Sequence, residues 1–411
     1  RNPTIPSIFF CRKRAEPPHT GTMDSEASKS ASAGMTKDNE GTWDSTTQTF
    51  HGGQDWKFLD NFVCDFSVTT NALGTPRKAL EAARKAVDTI GHYPPSDFEP
   101  AISDLAEFLW PGEGPAKKPL MTLGNGASEL IDLVIRGAGP APGDKWRPGP
   151  QQTQYKEYQR SAQAAGFETT GHDDRSAKLM CIVNPTNPTG DYWNKAEAKG
   201  YIEEQCEPGT TVIVDESMQP WLGPNWREDS LIGEREWAQT LSEQRDIHVW
   251  IMTSWTKIWS CTGVRLGSVV APTAALLAAL KSKQVPWSVN NMALDFLSEV
   301  VKDNDYMEET WRTNKEWNEN LRALLAEHFP EWEVTGTHTF LSWVWVDCKD
   351  EALQKEAVAL AKAAGVPVRS GSPGYNLHTF FRVAVRQLEP TQQLLRAWEP
   401  LKAHPAKKQK A

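Results

Sequence analysis

The sequence lacks the features of a membrane protein, a disulfide scaffold or a nucleic-acid binder. Its six cysteines, Cys11, Cys64, Cys181, Cys206, Cys261 and Cys348, are scattered over 411 residues. They form no C-x-x-C pair and no Cys/His group at metal-ligand spacing. That pattern fits a reducing compartment, where a buried Cys behaves as a small hydrophobe, and it predicts neither disulfides nor a bound metal. Long hydrophobic runs are missing too. The most apolar stretch, Gly267 to Leu280, is broken by Pro272 and Thr273 and falls short of the ~20 residues a membrane helix needs. Basic charge is not in excess, with 44 Lys+Arg against 53 Asp+Glu and a formal net charge of −9. This argues against a nucleic-acid or membrane partner. What is present is a chain 39% hydrophobic and 24% charged, long enough for two or three domains with a sizeable core. A soluble enzyme acting on small molecules fits best.

The ends differ from the middle. Residues 1–22 are basic and contain Pro, with Arg12-Lys13-Arg14 ahead of the first acid, Glu16. Residues 23–55 are rich in Ser, Thr, Gly, Asp and Glu, so residues 1–55 read as a disordered leader. The basic part is either a remnant of an organelle transit peptide or sequence upstream of a start at Met23 or Met35. The compartment therefore stays open between cytoplasm and a plastid or mitochondrion. Residues 404–411 form a Lys-rich tail.

Between these ends strands and helices alternate, the signature of an α/β domain with a parallel sheet. The pattern predicts helices over Asp97–Leu109 and Ser128–Arg136, the second stopped by Gly137. Apolar runs at Leu179–Val183, Thr211–Val214 and Val249–Thr253 predict buried strands. After Lys281 the texture changes. A long polar helix over Asp303–Phe329 leads to strands at Trp332–Val334 and Phe340–Val346, a helix at Glu351–Ala364 and a strand at Phe381–Val385. The fold class is therefore α/β, a large mostly parallel sheet sandwiched by helices, plus a smaller α+β domain.

Polar clusters follow the predicted strands, and in open parallel sheets ligands bind outside the carboxyl ends of strands. Ile182-Val183 runs into Asn184-Pro185-Thr186-Asn187-Pro188-Thr189-Gly190, and Val212-Ile213-Val214 into Asp215-Glu216-Ser217. Trp250-Ile251-Met252 runs into Thr253-Ser254-Trp255-Thr256-Lys257, with Gly263-Val264-Arg265-Leu266-Gly267 close behind. One crevice would thus collect an amide, a carboxylate, an amine, hydroxyls and a guanidinium, a set that suits a phosphorylated aromatic aldehyde.

Those residues, with Asp65-Phe66-Ser67…Asn71-Ala72-Leu73-Gly74, Tyr93-Pro94 and Gly124-Asn125-Gly126-Ala127-Ser128-Glu129, carry a resemblance. Over about residues 60–400 the chain resembles the fold-type I pyridoxal 5′-phosphate enzymes of the class I/II aminotransferase group. Within that group it is most like histidinol-phosphate aminotransferase and threonine-phosphate decarboxylase. The resemblance implies an N-terminal segment, 56–90, that helps cover the site, a large domain over 91–285 and a small one over 286–403. It implies that Lys257 forms the Schiff base with the cofactor, its amine made available by burial and by Arg265. Asp215 would pair with the pyridine nitrogen, Asn187 would donate to the ring hydroxyl and Tyr155 would stack on the ring. Tyr158 reads as a helix-packing residue.

The phosphate cup implied by the likeness consists of the N–H groups of Ala127 and Ser128 at a helix start, with Ser254, Thr256 and Arg265. Tyr93 would reach the phosphate of a neighbouring subunit, which implies a homodimer with shared sites. Arg382, in Phe381-Arg382-Val383-Ala384-Val385-Arg386, takes the role of the fork on the substrate carboxylate. Arg386 reads as a surface or helix-capping residue, Asn71 as a candidate substrate contact, and Arg369 as either a ligand for a second anionic group or an exposed loop residue.

The departures also carry information. Relatives place Glu-Ala-Tyr or Glu-Ser-Phe after the cofactor aspartate, whereas this chain has Glu216-Ser217-Met218. Among its 18 Trp, those near the motifs, Trp221, Trp255, Trp259, Trp343 and Trp345, read as core or interface. The resemblance implies ping-pong transamination between an amino acid and a 2-oxo acid. Two alternatives stay open: a decarboxylase or lyase, separated from it only by which Cα bond stands perpendicular to the ring, and a non-catalytic protein on the same fold.

Overall fold

Strands buried on both faces need apolar residues at every position, and the runs with that property form the centre of a seven-stranded sheet. A computed structural model describes residues 51–403; the readings of residues 1–50 and of the tail at 404–411 lie outside them. The strands are β1 (Met121–Asn125), β2 (Lys145–Gly149), β3 (Glu168–Thr169), β4 (Leu179–Val183), β5 (Thr210–Asp215), β6 (Ile247–Ser254) and β7 (Leu266–Val270). Their spatial order is β1-β7-β6-β5-β4-β2-β3. Only β7 runs against its neighbours. Successive residues serve opposite faces. Met180, Ile182, Val212 and Val214 enter one core, and Leu179, Cys181, Val183 and Ile213 the other.

Two shifts in the predicted helix limits have a local cause. Gly137 lies inside the helix Gly126–Ala138, and the stop is Gly139, whose φ of 62° no β-carbon-bearing residue adopts easily. The helix expected from Asp97 begins only at Ala101, because Phe98 stands at φ 62° and Pro100, at the N-cap, lies where a ring is tolerated.

A second sheet, order β10-β11-β9-β8, is antiparallel throughout. Its strands are β8 (Glu333–Thr335), β9 (Trp343–Asp347), β10 (Arg369–Ser370) and β11 (Phe380–Ala384). Period-two alternation sorts its faces. Val344, Val346, Phe381 and Val383 join a core with Leu321, Leu325, Ala357, Ala361 and Leu394 from the helices Asn304–His328, Glu351–Ala363 and Leu388–Ala397. The other face presents Thr335, Trp345, Arg382 and Arg369 in one cross-strand row.

The N-terminal segment is stitched to this sheet. Phe66 is fully buried and bridges Val368, and its carbonyl accepts from Ala384 N at 2.9 Å. Residues 51–55, read as the end of a disordered leader, are packed instead. Gly53 N donates to Ser67 Oγ at 3.0 Å, His51 Nε2 lies 2.9 Å from Glu157 Oε1, and Asp55 pairs with Lys362 at 2.8 Å. Glycine at 52 allows this approach, because a β-carbon there would fall 2.3 Å from Ser67 Oγ.

Candidate active site

Parallel strands end at one edge, so the sheet gathers the polar clusters there. β4 stops at Val183, β5 at Asp215, β6 at Ser254 and β1 at Asn125. The reversed β7 starts at that edge, with Leu266 opposite Asn125, which brings Arg265 to the same place.

Asp215 is buried and doubly held: Tyr158 Oη donates to Oδ2 and Ser217 N to Oδ1, both at 2.8 Å. Burial raises its pKa, against the pull of Ser217, Tyr158 and the Lys257 charge. A buried carboxylate in this state would gain from a cation beside it. Lys257 follows β6 by three residues and is half-buried. Burial first, then the charges of Arg265 and Arg382, bring its pKa down to about 8. Its carbonyl accepts from Asn71 N at 3.0 Å. Ser254 Oγ and Thr256 Oγ1 lie 2.9 Å apart, and Ser254 N donates to Ser217 Oγ at 2.7 Å.

Two glycines shape the turn before the helix Gly126–Ala138. Gly126 has φ 76°, and a β-carbon on it would lie 2.3 Å from Arg265 Nη2. One on Gly267 would lie 2.5 Å from Ala127 N. These positions let Arg265 come close to Gly126 and the backbone N–H at Ala127 close to Gly267, a helix-start arrangement that could hold a small anion. Tyr155 lies within electrostatic reach of Asp215 and Arg265, and burial raises its pKa strongly.

From the second sheet, Arg382 reaches the same crevice. It donates through Nη1 to Asn187 Oδ1 and through Nη2 to Ser67 O at 2.7 Å, while its Nε is buried without a partner. Burial above all lowers its pKa to about 10, so it stays charged at neutral pH.

The family described as aminotransferase class I and II matches residues 63–397. The chain belongs to this family. Threonine-phosphate decarboxylase of Salmonella typhimurium is 25% identical over 353 residues, covering 82% of this chain and 90% of that protein. A histidinol-phosphate aminotransferase of Pseudomonas aeruginosa is 26% identical over 349 residues, covering 81% and 88%. Among solved structures, the histidinol-phosphate aminotransferase of Clostridium acetobutylicum superposes with a TM-score of 0.68 at 21% identity, covering 83% of this chain and 99% of that one. That of Sinorhizobium meliloti, solved with pyridoxal-5′-phosphate, gives 0.68 at 16% identity, covering 83% and 91%. The fold is fold-type I, and this aminotransferase family depends on pyridoxal phosphate. The residues present fit that group: a buried carboxylate that makes no ion pair among the described residues, an amine of lowered pKa and an anion cradle under two glycines.

Three readings of single residues in this aminotransferase-family chain need correction. Arg386 is neither exposed nor a cap: it is buried and donates to the carbonyls of Asp65, Val68, Thr70 and Val385. Arg369 is buried on β10 opposite Arg382, not on an exposed loop, because β10 pairs with β11. Asn71 spends its amide on Ile258 O at 2.9 Å and Thr310 Oγ1 at 2.7 Å, so it pins the Lys257 segment and has no donor left for substrate. Tyr93 is 77% exposed and stacks on Trp287 at 4.3 Å. Trp221, Trp255, Trp259 and Trp343 are buried in the core. Sequence reasoning missed Tyr158 as the donor to Asp215. Tyr158 lies in the first turn of the helix Glu157–Ala165, and its partner is 57 residues away in sequence, so no local pattern signalled the contact. Among the described residues no helix is long and apolar enough to cross a membrane.

Proposed function

We propose that this chain is an aminotransferase that moves an amino group between an amino acid bearing a second anionic group and a 2-oxo acid, in two half-reactions. The observation that carries this reading is the convergence on one crevice of Lys257, Asp215 and Asn187 with Arg382, whose Nε is buried and unpartnered. Bound pyridoxal phosphate supplies an electron sink for the substrate Cα. Ala127, Ser128, Ser254, Thr256 and Arg265 would hold its phosphate, Tyr155 its ring face, Asp215 its ring nitrogen and Lys257 the covalent link. Asn187, whose Oδ1 accepts from Arg382, keeps Nδ2 to donate to the ring hydroxyl.

Arg382 orients the substrate carboxylate through its planar fork, which favours exposure of the Cα–H bond. Lys257, with a pKa near 8, has a usable neutral fraction at neutral pH and takes the Cα proton and returns it. Arg369, opposite Arg382, supplies the charge for a second anion. A homodimer in which Tyr93 reaches the partner's site is part of this reading. It is supported by the exposure of Tyr93, Ile90, Val285 and Trp287 in two segments joined by the Tyr93–Trp287 stack. The same reading makes residues 91–285 the cofactor-holding body, with 286–403 the smaller domain and 56–90 its N-terminal contribution.

A second reading, decarboxylation, draws on the cross-strand pairing of Arg369 with Arg382: a distal anion held by both would free the α-carboxylate to stand out of the ring plane. Supplying amino acids singly to the holoenzyme and analysing products separates the two. A new 2-oxo acid supports transamination, carbon dioxide with an amine supports decarboxylation, and neither product from any amino acid contradicts both.

A further inference from the structure

Beyond the arginine row, one more cation stands at the crevice. Lys156 directly follows Tyr155, at the N-cap of the helix Glu157–Ala165. It is half-buried, and its amine lies 5.7 Å from the centre of the Tyr375 ring. Its hydrogen-bond partner is Gln159 Oε1 at 3.3 Å, and it makes no ion pair among the described residues. Partial withdrawal from water lowers its pKa, the circumstance in which an incoming anion gains most.

Tyr375 is the hub of this corner. It stands in the turn between β10 and β11, meets Trp345 edge-on at 6.2 Å, and lies within electrostatic reach of Arg369, Arg382 and Tyr155. Trp345 and the two arginines belong to one cross-strand row. Three cations therefore lie within electrostatic reach of one phenol. The acids nearby are already engaged: Asp65 Oδ1 accepts from Ser67 N and Oγ at 2.7 and 2.6 Å, and Glu157 is held by His51 and Arg160. Ser372 Oγ, in the same turn, is buried without a partner.

We propose that Lys156, held over Tyr375, is a specificity-determining residue that extends the Arg369–Arg382 row and selects substrates whose far end is a doubly charged phosphate over those ending in a singly charged carboxylate. This rests on the amino-acid reading above. With Arg382 on the α-carboxylate and Arg369 facing the far anion, Lys156 adds a second cation at that end, and its attraction is about twice as great for a doubly charged group as for a singly charged one.

The test compares O-phospho-L-serine with L-glutamate on the holoenzyme, by kcat/KM and by calorimetric affinity, in wild type, Lys156→Met, Lys156→Arg and Tyr375→Leu. Lys156→Met is expected to lose about tenfold for the phosphate substrate and less than about threefold for glutamate, with a shallower salt dependence. Lys156→Arg retains the preference, and Tyr375→Leu reproduces part of the loss by releasing the lysine. Equal losses on both substrates, or a wild type that treats them alike, overturn the role of Lys156 and leave the amino-acid reading standing. A wild type that binds and converts neither overturns both.

Discussion

The two sheets contribute to the crevice by different means. On the seven-stranded sheet, Asp215, Ser254 and Arg265 lie at or within one residue of a strand end, and Asn187 and Lys257 within four. On the four-stranded sheet Arg369 and Arg382 stand within strands, on the face opposite the core. Position along the chain sets the first group, whereas cross-strand register sets the second. The arginines show what register decides. Arg382 and Arg386 are both buried, but Arg386 is saturated by four backbone carbonyls while Arg382 keeps Nε unpartnered. One closes a structure, and the other keeps a donor that the proposed function assigns to substrate.

That contrast can be broken by exchanging the consequences. Arg382→Met should lower kcat/KM about 100- to 1,000-fold, with cofactor affinity changed less than about threefold, because the substrate fork is lost. Arg386→Met should instead cost about 3 kcal/mol of stability in urea titrations by leaving buried carbonyls unpaired, with kcat/KM of the folded fraction nearly unchanged. If both variants lost activity at unchanged stability, the division between them would be wrong.

A smaller effect sharpens the seven-stranded side. Tyr158→Phe removes the donor to Asp215 Oδ2 and should weaken cofactor binding about five- to tenfold by equilibrium titration, the order expected for the net worth of one hydrogen bond, about 1 kcal/mol. No change would mean that Tyr158 only fills space.

The smallest concerns pH. The Lys257 pKa lies near 8, below its ordinary 10.5. Between those values the unfolded chain binds more protons than the folded one, so the apoprotein is stabilised as pH rises through that window, and the penalty for burying the charge is full below about 8. Urea midpoints measured across it should climb more in the wild-type apoprotein than in Lys257→Met. Identical profiles would show that the amine is not held in its neutral form.

Much of the large sheet was legible because its strands are continuous apolar runs: Leu179–Val183 stands as predicted, and the other two grow by one or two residues at each end. β1, β2 and β7 were less legible. β2 contains Lys145, Arg147 and Pro148, and β7 opens the apolar stretch that runs on into the helix Ala274–Lys281, after Thr273 caps its start. In the crevice, residue type and order singled out Lys257, Asp215, Asn187 and Arg382 as candidates, and the structure brings these four side chains near one another. Partners distant in sequence were not readable. Arg386 is buried because residues 65–70 wrap onto it, and Asn71 is committed because Thr310 arrives from a helix 239 residues away. Local patterns carry no record of such contacts.

Covalent attachment at one lysine is the claim on which the rest depends. Reduction of the holoenzyme with borohydride, followed by digestion and peptide mass mapping, tests it directly. The account predicts a single cofactor-derived mass on Lys257, absent from Lys257→Ala. A stoichiometric adduct on another lysine, or one that persists in that variant, would contradict it.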